Sequence, residues 1–262
     1  MKLEFLGTGA ADYNPERDFV KAEYRRFSSM MVDGTLLIDP GPHIFHYAET
    51  MNKEHLFDGV KAVIITHSHG DHLDAESVRR LHEICPDCMF AGSQASLDVI
   101  RAGGVDVPYT VVTPFERYTL GGYEIVPLFA NHYTGIDTEQ TMLYSIETAE
   151  QKLFYGTDTG WWPSRTWLYV CEQAYDCMIF ELTVGEASYD YRIFSHTSLD
   201  MLKIMLKTVC HREDKRYKAT NFGCKLLVTH MARTLHPDHE TLKAMLAPLN
   251  VTPAFDGMIT EF

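Results

Sequence analysis

The chain has 262 residues, 45% of them hydrophobic, and a formal net charge of −13 from 36 acidic and 23 basic residues. This length and apolar content suffice for one full hydrophobic core, so we expect residues 1–262 to form a single domain. The negative charge repels phosphate backbones and argues against binding to a nucleic-acid polymer.

Apolar runs bounded by Gly, Asp or Pro recur along the chain and are typical of strands. The predicted strands cover residues 3–7, 28–32, 35–39, 62–66, 110–113, 123–129, 142–147, 152–157, 177–182 and 225–229. Helical spacing of apolar residues predicts helices in AESVRRLHEI after the N-cap candidate Asp74, and in ASLDVIRAGG, SLDMLKIMLKTV and PDHETLKAML. Strands in both halves with helices between them predict a layered α/β protein with mixed sheets.

The stretch THSHGDHLD, residues 66–74, follows a predicted strand and is dense with ionisable groups. The pattern H-x-H-x-D-H is formed there by His67, His69, Asp71 and His72. A loop at the end of a strand can aim several side chains at one point, and imidazole with carboxylate suits zinc, manganese or iron(II). A polar loop leading into a helix is the alternative, but five ionisable groups at this spacing favour a metal site.

Three more candidate ligands follow strand-like runs further along the chain. His132 follows YEIVPLFAN, Asp158 follows KLFYGT, and His230 follows KLLVT. A lone histidine in such a position is more often a hydrogen-bonded residue than a ligand. Three such residues together with the H-x-H-x-D-H loop favour a shared metal centre.

With these motifs the chain resembles the metallo-β-lactamase superfamily over nearly its whole length. The matching segments are THSHGDH, PLFANH, YGTDTG and LLVTH. The resemblance implies a four-layer αββα sandwich of two mixed β-sheets flanked by helices, with a dinuclear site where the loops of both sheets meet. It also implies that His67, His69 and His132 would hold one metal, that Asp71, His72 and His230 would hold the other, and that Asp158 would bridge them.

A dinuclear site has a chemistry of its own. Two divalent ions roughly 3.5–4 Å apart lower the pKa of a bridging water to about 7 and polarise the bond under attack. Because two ligand carboxylates only partly balance the charge of the ions, the site favours an anionic substrate. We expect a metal-bridging hydroxide as the nucleophile, with Asp71 orienting it or accepting its proton.

Two segments resemble the branch that contains the tRNA 3′-processing endonucleases and phosphoribosyl 1,2-cyclic phosphate phosphodiesterase. FLGTGAADYNPERDFVKAEYRRFSSMMV places Arg25 or Arg26 before a Ser-Ser strand, and CMIFELT with FSHTSLDML places Glu181 behind His196. A histidine with a pKa near 6.5 can protonate a leaving alkoxide, and a carboxylate on its other nitrogen fixes its tautomer. His196 as a capping-region residue is the alternative, and the metal loop favours a catalytic role for the pair.

The resemblance favours a hydrolase that cleaves a small phosphodiester, including a cyclic one. The basic arm of the endonucleases and the cysteine-rich zinc site of the cyclic phosphodiesterase have no counterpart here, which leaves the exact substrate open. The alternative is a hydrolase of carboxyl esters, lactones or thioesters. A non-catalytic metal-binding module is least favoured, because every ligand position is filled.

Other sequence features concern the walls of the cleft, the cysteines and the cellular location rather than the reaction. Trp161 and Trp162 either wall the cleft or pack in the core, and Cys85 and Cys88 are interpreted as incidental thiols. The start, MKLEFLGTGAADYN, lacks the apolar run of a signal peptide, and no stretch reaches the about 18 apolar residues of a membrane span. Together with six scattered cysteines this predicts a cytoplasmic protein without membrane contact, whose oligomeric state, a homodimer included, is open.

Overall fold

Two seven-stranded β-sheets form the centre of the protein in a computed structural model that describes residues 1–13, 24–209 and 223–262. In spatial order the first sheet comprises β14 (Ile259–Glu261), β1 (Lys2–Gly7), β2 (Ser29–Val32), β3 (Leu36–Ile38), β4 (Ala62–Ile64), β5 (Met89–Gly92) and β6 (Tyr109–Val111). The second comprises β13 (Val251–Pro253), β12 (Lys225–Thr229), β11 (Cys177–Glu181), β10 (Lys152–Gly156), β9 (Met142–Glu147), β8 (Tyr123–Phe129) and β7 (Tyr118–Leu120).

Each sheet is antiparallel in one half and parallel in the other. In the first sheet, β3 through β6 pair in parallel, and in the second, β10 through β13 do so. Parallel strands are covered on both faces, which explains why β4 is an unbroken apolar run whose three residues are all buried. The ends of these parallel strands place the polar loops described below.

Helices cover the outer face of each sheet. The first sheet carries α1 (Ile44–Thr50), α2 (Ala75–Ile84) and α3 (Gln94–Ala102), and the second carries α4 (Ser164–Glu172), α5 (Leu199–Val209) and α6 (His239–Leu246). Short 3₁₀ helices span Tyr191–Phe194 and Ala247–Leu249. A separate core between the sheets takes buried residues from both, among them Ile38, Ile64, Tyr144 and Ile179. The layers are therefore α, β, β and α, and the predicted fold is confirmed.

Every predicted strand and helix has a counterpart, with ends that differ by a few residues. Asp74 caps α2 as predicted, because its side chain accepts a hydrogen bond from Ser77 N. The sequence patterns missed β5, β7, β13, β14, α1 and α4. The four strands are short, and the two helices mix aromatic and polar residues, so their periodicity is weak. Within the described ranges, every helix is too short or too polar to cross a bilayer.

Candidate metal centre and active site

The seven predicted ligands converge where loops from the two sheets meet. The first sheet supplies the H-x-H-x-D-H loop after β4, and the second sheet supplies one residue each after β8, β10 and β12. Above them lies a cavity of about 300 Å³. It is lined by Ala10, Ala11, Asp12, His69, Asp71, His132, Asp158, Thr183, Arg192, His196 and His230. His67 and His72 are buried beneath this lining.

Three histidines form a first possible metal grouping. The candidate ligand atoms of His67, His69 and His132 lie within 4.8 Å of one another. His69 Nδ1 is 3.0 Å from His67 Nε2 and 3.1 Å from His132 Nε2. Burial lowers the pKa of His67 well below its usual range and lowers that of His132 as well. Burial therefore favours the neutral imidazoles that bind metal ions.

Asp71, His72 and His230 form a second grouping, and Asp158 lies against it. Asp158 Oδ2 is 2.6 Å from His72 Nε2 and 3.3 Å from His230 Nε2. This oxygen is buried, yet it makes no hydrogen bond within the described part of the chain. A carboxylate oxygen between two imidazole nitrogens without hydrogen-bond geometry fits a cation better than it fits a proton. Asp158 also groups with His67 and His72, so it lies next to members of both metal groupings.

The acidic members of the centre are held in their charged form. Burial alone would raise the pKa of Asp71 and Asp158, but the charges of nearby histidines hold both pKa values well below the usual range. Burial opposes charge on His72 too, but the carboxylates around it raise its pKa well above the usual value. A metal ion bound there would replace the proton that His72 otherwise holds.

Three residues at the centre have left-handed backbone conformations. Asp39 has φ 59°, Asp158 has φ 51° and His230 has φ 56°, each directly after or near the end of a strand. This region of backbone space costs energy for residues other than glycine and is often retained at functional sites. Here the conformation turns the chain at the sheet edge and aims the side chain at the centre.

A second layer of hydrogen bonds orients the ligands. His72 Nδ1 lies 2.8 Å from Asp39 Oδ2, and His230 Nδ1 lies 2.8 Å from the hydroxyl of Thr183. Such partners fix which ring nitrogen faces the metal. The sequence analysis missed Asp39 and Thr183 as site residues. Asp39 follows strand β3 as a polar strand-end residue, which is the signal that identified the later ligands.

Glu181 and His196 meet as the sequence predicted. Glu181 is buried, its Oε1 accepts a hydrogen bond from Thr159 N at 2.6 Å, and it lies 3.2 Å from His196 Nδ1. Although burial opposes it, the Glu181 carboxylate raises the pKa of His196 to about 9. His196 Nε2 makes no hydrogen bond to a described residue, and the side chain lines the cavity. Ser198, and not His196, caps helix α5, because the Ser198 hydroxyl accepts a hydrogen bond from Met201 N.

His196 is also close enough to the centre to be weighed as a ligand. Its Nδ1 is 3.4 Å from Asp158 Oδ1, and it groups with His132 and Asp158 as well as with Glu181 and His230. Glu181 Oε1 already binds Nδ1, the nitrogen of His196 that lies near Asp158. The metal content of a variant without His196 therefore separates the two roles.

Arg192 is a cavity residue that the sequence analysis missed. It is the single arginine or lysine among the described residues that line the cavity. Its Nε and Nη2 donate to the Asp190 carboxylate at 2.9 and 3.0 Å. Its Nη1 lies 3.8 Å from Asp12 Oδ2 and makes no hydrogen bond to a described residue. No motif marks Arg192, because the 3₁₀ helix Tyr191–Phe194 that presents it has no strong sequence pattern.

Arg25 and Arg26, the arginines of the resembling N-terminal segment, lie outside the cavity. Arg25 is buried and donates to Thr8 Oγ1 at 2.7 Å and to the Ala254 carbonyl at 2.8 Å. Arg26 is buried beside Asp256, with 3.2 Å between Nη1 and Oδ2. Arg25 therefore ties the end of β1 to the C-terminal region, and Arg26 ties that region to α1 through Thr50.

The two tryptophans have separate environments. Trp162 is buried and stacks on Phe180, whereas Trp161 is 47% exposed and lines a neighbouring apolar groove. Cys85 and Cys88 are free thiols away from the centre, and burial raises the pKa of Cys88 to about 12. These residues contribute no ligand to either metal grouping.

A sequence profile described as the beta-lactamase superfamily domain matches residues 34–216. The chain therefore belongs to the beta-lactamase superfamily, and the predicted resemblance is confirmed. This is a superfamily of metal-binding hydrolases, and the two His/Asp groupings of the chain have a geometry that allows them to hold metal ions. No curated protein matches the chain significantly.

Solved structures show the same fold across the whole chain. A diphosphatase from the PhnP family is 20% identical with a TM-score of 0.71, covering 100% of this chain and 96% of that one. Zn²⁺-bound PqqB from Methylobacterium extorquens is 16% identical with a TM-score of 0.71, covering 100% of both chains. The short form of human tRNase Z is 18% identical with a TM-score of 0.69, covering 100% of this chain and 99% of that one.

Proposed function

We propose that this protein is a dinuclear metal-dependent phosphodiesterase that cleaves a small anionic diester, cyclic diesters included. His67, His69 and His132 would hold one ion, Asp71, His72 and His230 the second, and Asp158 both. The overlapping groupings support this assignment, as does the buried Oδ2 of Asp158, which lies between His72 and His230 without a hydrogen bond in the described part of the chain. Zinc or manganese suits these ligands best, and iron is accepted by the same set.

Bound divalent ions supply a nucleophile from water at neutral pH and neutralise negative charge as it builds on the substrate. The chain contributes neutral imidazoles at His67 and His132 and an ionised carboxylate at Asp71, which lines the cavity. Asp71 would orient the attacking water or accept its proton. The buried shell beneath these side chains holds them in fixed positions.

The observation that carries the choice of a phosphodiester is the Glu181–His196 pair. Glu181 holds Nδ1 of His196, and its carboxylate raises the pKa of the ring, which favours the protonated imidazole. A protonated imidazole whose Nε2 has no described protein partner can donate a hydrogen bond to a phosphate oxygen or a proton to the leaving alkoxide. An alkoxide needs such an acid far more than a thiolate does, because the alkoxide is the stronger base, and this disfavours a thioester. A protonated ring in a cavity that Arg192 also lines favours an anionic phosphate over a neutral ester or lactone.

Arg192 supports an anionic substrate. Asp190 fixes the guanidinium through Nε and Nη2, and the remaining nitrogen, Nη1, lies 3.8 Å from Asp12, which also lines the cavity. The salt bridge raises the pKa of Arg192, so the charge is permanent. In a protein with a net charge of −13, this cation and the metal ions would select for negative charge at the cavity.

A substrate panel tests the proposal. The metal-loaded protein is assayed with bis(p-nitrophenyl) phosphate, a γ-lactone, an acyl thioester and a β-lactam at equal concentrations. We expect metal-dependent turnover of the phosphodiester in large excess over the other three. Turnover of the lactone or thioester without cleavage of the phosphodiester would show that the hydrolysed bond is at carbon.

A further inference from the structure

Glu139 connects the loop that carries His132 to two other elements. Its Oε1 accepts hydrogen bonds from Ser68 N and from the Ser93 hydroxyl, both at 2.9 Å. Its Oε2 accepts a hydrogen bond from the Ser68 hydroxyl at 2.6 Å. A carboxylate with three short hydrogen bonds to two different segments is a strong local tie, since bonds to charged groups are stronger than neutral ones.

The position of Ser68 links Glu139 to the predicted metal ligands. Ser68 stands between His67 and His69, so Glu139 joins the backbone of two ligands of the first grouping to the loop of the third, His132. The hydrogen bond to the Ser68 amide fixes the His67–Ser68 peptide, which leads from the first histidine toward the second. A shift of Glu139 would therefore move all three ligands relative to one another.

The second partner makes the tie rigid. Ser93 is the N-cap of α3, and its hydroxyl oxygen also accepts a hydrogen bond from Ser96 N. The positive end of the helix dipole stabilises a carboxylate placed there. Glu139 is thus anchored on a helix and not only on another loop.

The loop needs such an anchor because it buries little surface. Seven of the ten residues 131–140 are exposed, whereas Glu139 is half-buried. Two further hydrogen bonds hold the loop, both at 3.0 Å. The Asn131 backbone amide donates to the Thr159 hydroxyl, and the Thr141 hydroxyl donates to the His132 carbonyl. Segments with few buried apolar contacts open locally at low cost. The hydrogen bonds of Glu139 to Ser68 and Ser93 oppose such opening, because they attach the loop to segments of the first sheet's side.

We propose that Glu139 is a positioning residue for the metal held by His67, His69 and His132. By this assignment it contributes to the affinity of that position, whereas Asp39 and Thr183 orient His72 and His230 of the other position. The inference rests on the proposed metal centre, but not on the identity of the substrate.

The test measures Zn²⁺ binding, by competition with a chromophoric chelator, in Glu139→Ala, Glu139→Gln and Ser68→Ala. We expect Glu139→Ala to weaken one of two ions by about 10- to 100-fold, as for other residues that orient ligands, and to leave the other unchanged. Glu139→Gln retains the shape and acceptor oxygen, so its loss is smaller. Glu116→Ala, which removes an exposed carboxylate bonded to the Tyr118 hydroxyl, is the matched control.

A second experiment assigns the weakened ion to its position. In a His132→Ala background, where the first position is already disabled, Glu139→Ala should have no further effect on Zn²⁺ affinity. Equal weakening of both ions, or unchanged affinity with a lower melting temperature of the metal-free protein, would reduce Glu139 to a structural role. Wild-type protein that binds no Zn²⁺ would overturn the metal centre and this assignment together, whereas split affinities without phosphodiester cleavage would overturn only the proposed activity.

Discussion

The two sheets build their halves of the metal centre in different ways. The first sheet supplies His67, His69, Asp71 and His72 from six consecutive residues of one loop. The second sheet supplies His132, Asp158 and His230 from three separate strand ends. The first half is thus placed by the path of a short loop, and the second half by how strands are registered across a sheet.

The supports of the two halves differ accordingly. Side-chain carboxylates hold the loop of the first sheet, with Asp39 on His72 and Glu139 on Ser68. In the second sheet, parallel pairing puts Gly156 beside Phe180 and Glu181 beside Thr229, so the residues that follow β10 and β12 flank Glu181. Removal of Asp39 or Glu139 should therefore loosen the loop of the first half, whereas strand pairing places the backbone of the second half.

The largest expected effect is on metal content, which we compare between a variant of the shared ligand Asp158 and a variant of a ligand that belongs to one grouping. Asp158→Ala removes the carboxylate that contacts both groupings, so we expect both metals to be lost. Loss of the metals removes several kcal/mol of transition-state stabilisation, so we expect the phosphodiesterase rate to fall by at least about a thousandfold. His69→Ala, which belongs to one grouping, should retain about one metal per chain by mass spectrometry of dialysed protein. Retention of two metals in Asp158→Ala would contradict its shared position.

A smaller effect compares the orienting residues of the two halves. Asp39→Asn replaces the charged partner of His72 Nδ1, and we expect metal affinity to fall about 10- to 100-fold. Thr183→Ser keeps the hydroxyl that faces His230 Nδ1 and should leave affinity within about twofold, because the orienting hydrogen bond is retained. Chelator competition on both variants checks the contrast. An affinity of Asp39→Asn within about twofold of the wild type would remove the Asp39 carboxylate from metal binding, and a large loss in Thr183→Ser would show that the hydroxyl alone does not orient His230.

The smallest effect concerns substrate binding alone. Arg192→Gln removes a charged hydrogen-bond donor worth about 1.5 kcal/mol or more, so we expect KM for a phosphodiester to rise about tenfold with metal content unchanged. Arg117→Gln is the matched control, since Arg117 is also paired with carboxylates but lies near Glu124 and Glu147, far along the sheet. An unchanged KM in Arg192→Gln would remove this residue from substrate recognition.

The contrast between the halves also explains what the sequence could predict. The loop of His67, His69, Asp71 and His72 is a local motif, so its clustering is visible without knowledge of the fold. His132, Asp158 and His230 were found because each ends an apolar run, and the fold resemblance related them to the loop. The structure brings the predicted ligands together, although their binding of metal remains a prediction.

The residues that were missed depend on contacts distant in sequence. Glu139 meets Ser68 across 71 positions, and Asp39 meets His72 across 33, so neither pairing has a local signature. Arg192 is displayed by a short 3₁₀ helix, which hydrophobic periodicity does not reveal. The strands β13 and β14 were missed because three residues are too few to establish an alternating pattern.

The central claim is that His196 acts on the substrate beside a metal centre that it does not help to form. The most direct measurement is the metal-to-protein ratio of His196→Ala together with its rate on a phosphodiester that has an alkoxide leaving group, such as a 2′,3′-cyclic nucleotide. We predict two metals per chain, as in the wild type, and a rate about 100- to 10,000-fold lower, the range for loss of a general acid. Loss of a metal would make His196 a ligand, and an unchanged rate with both metals bound would remove it from catalysis.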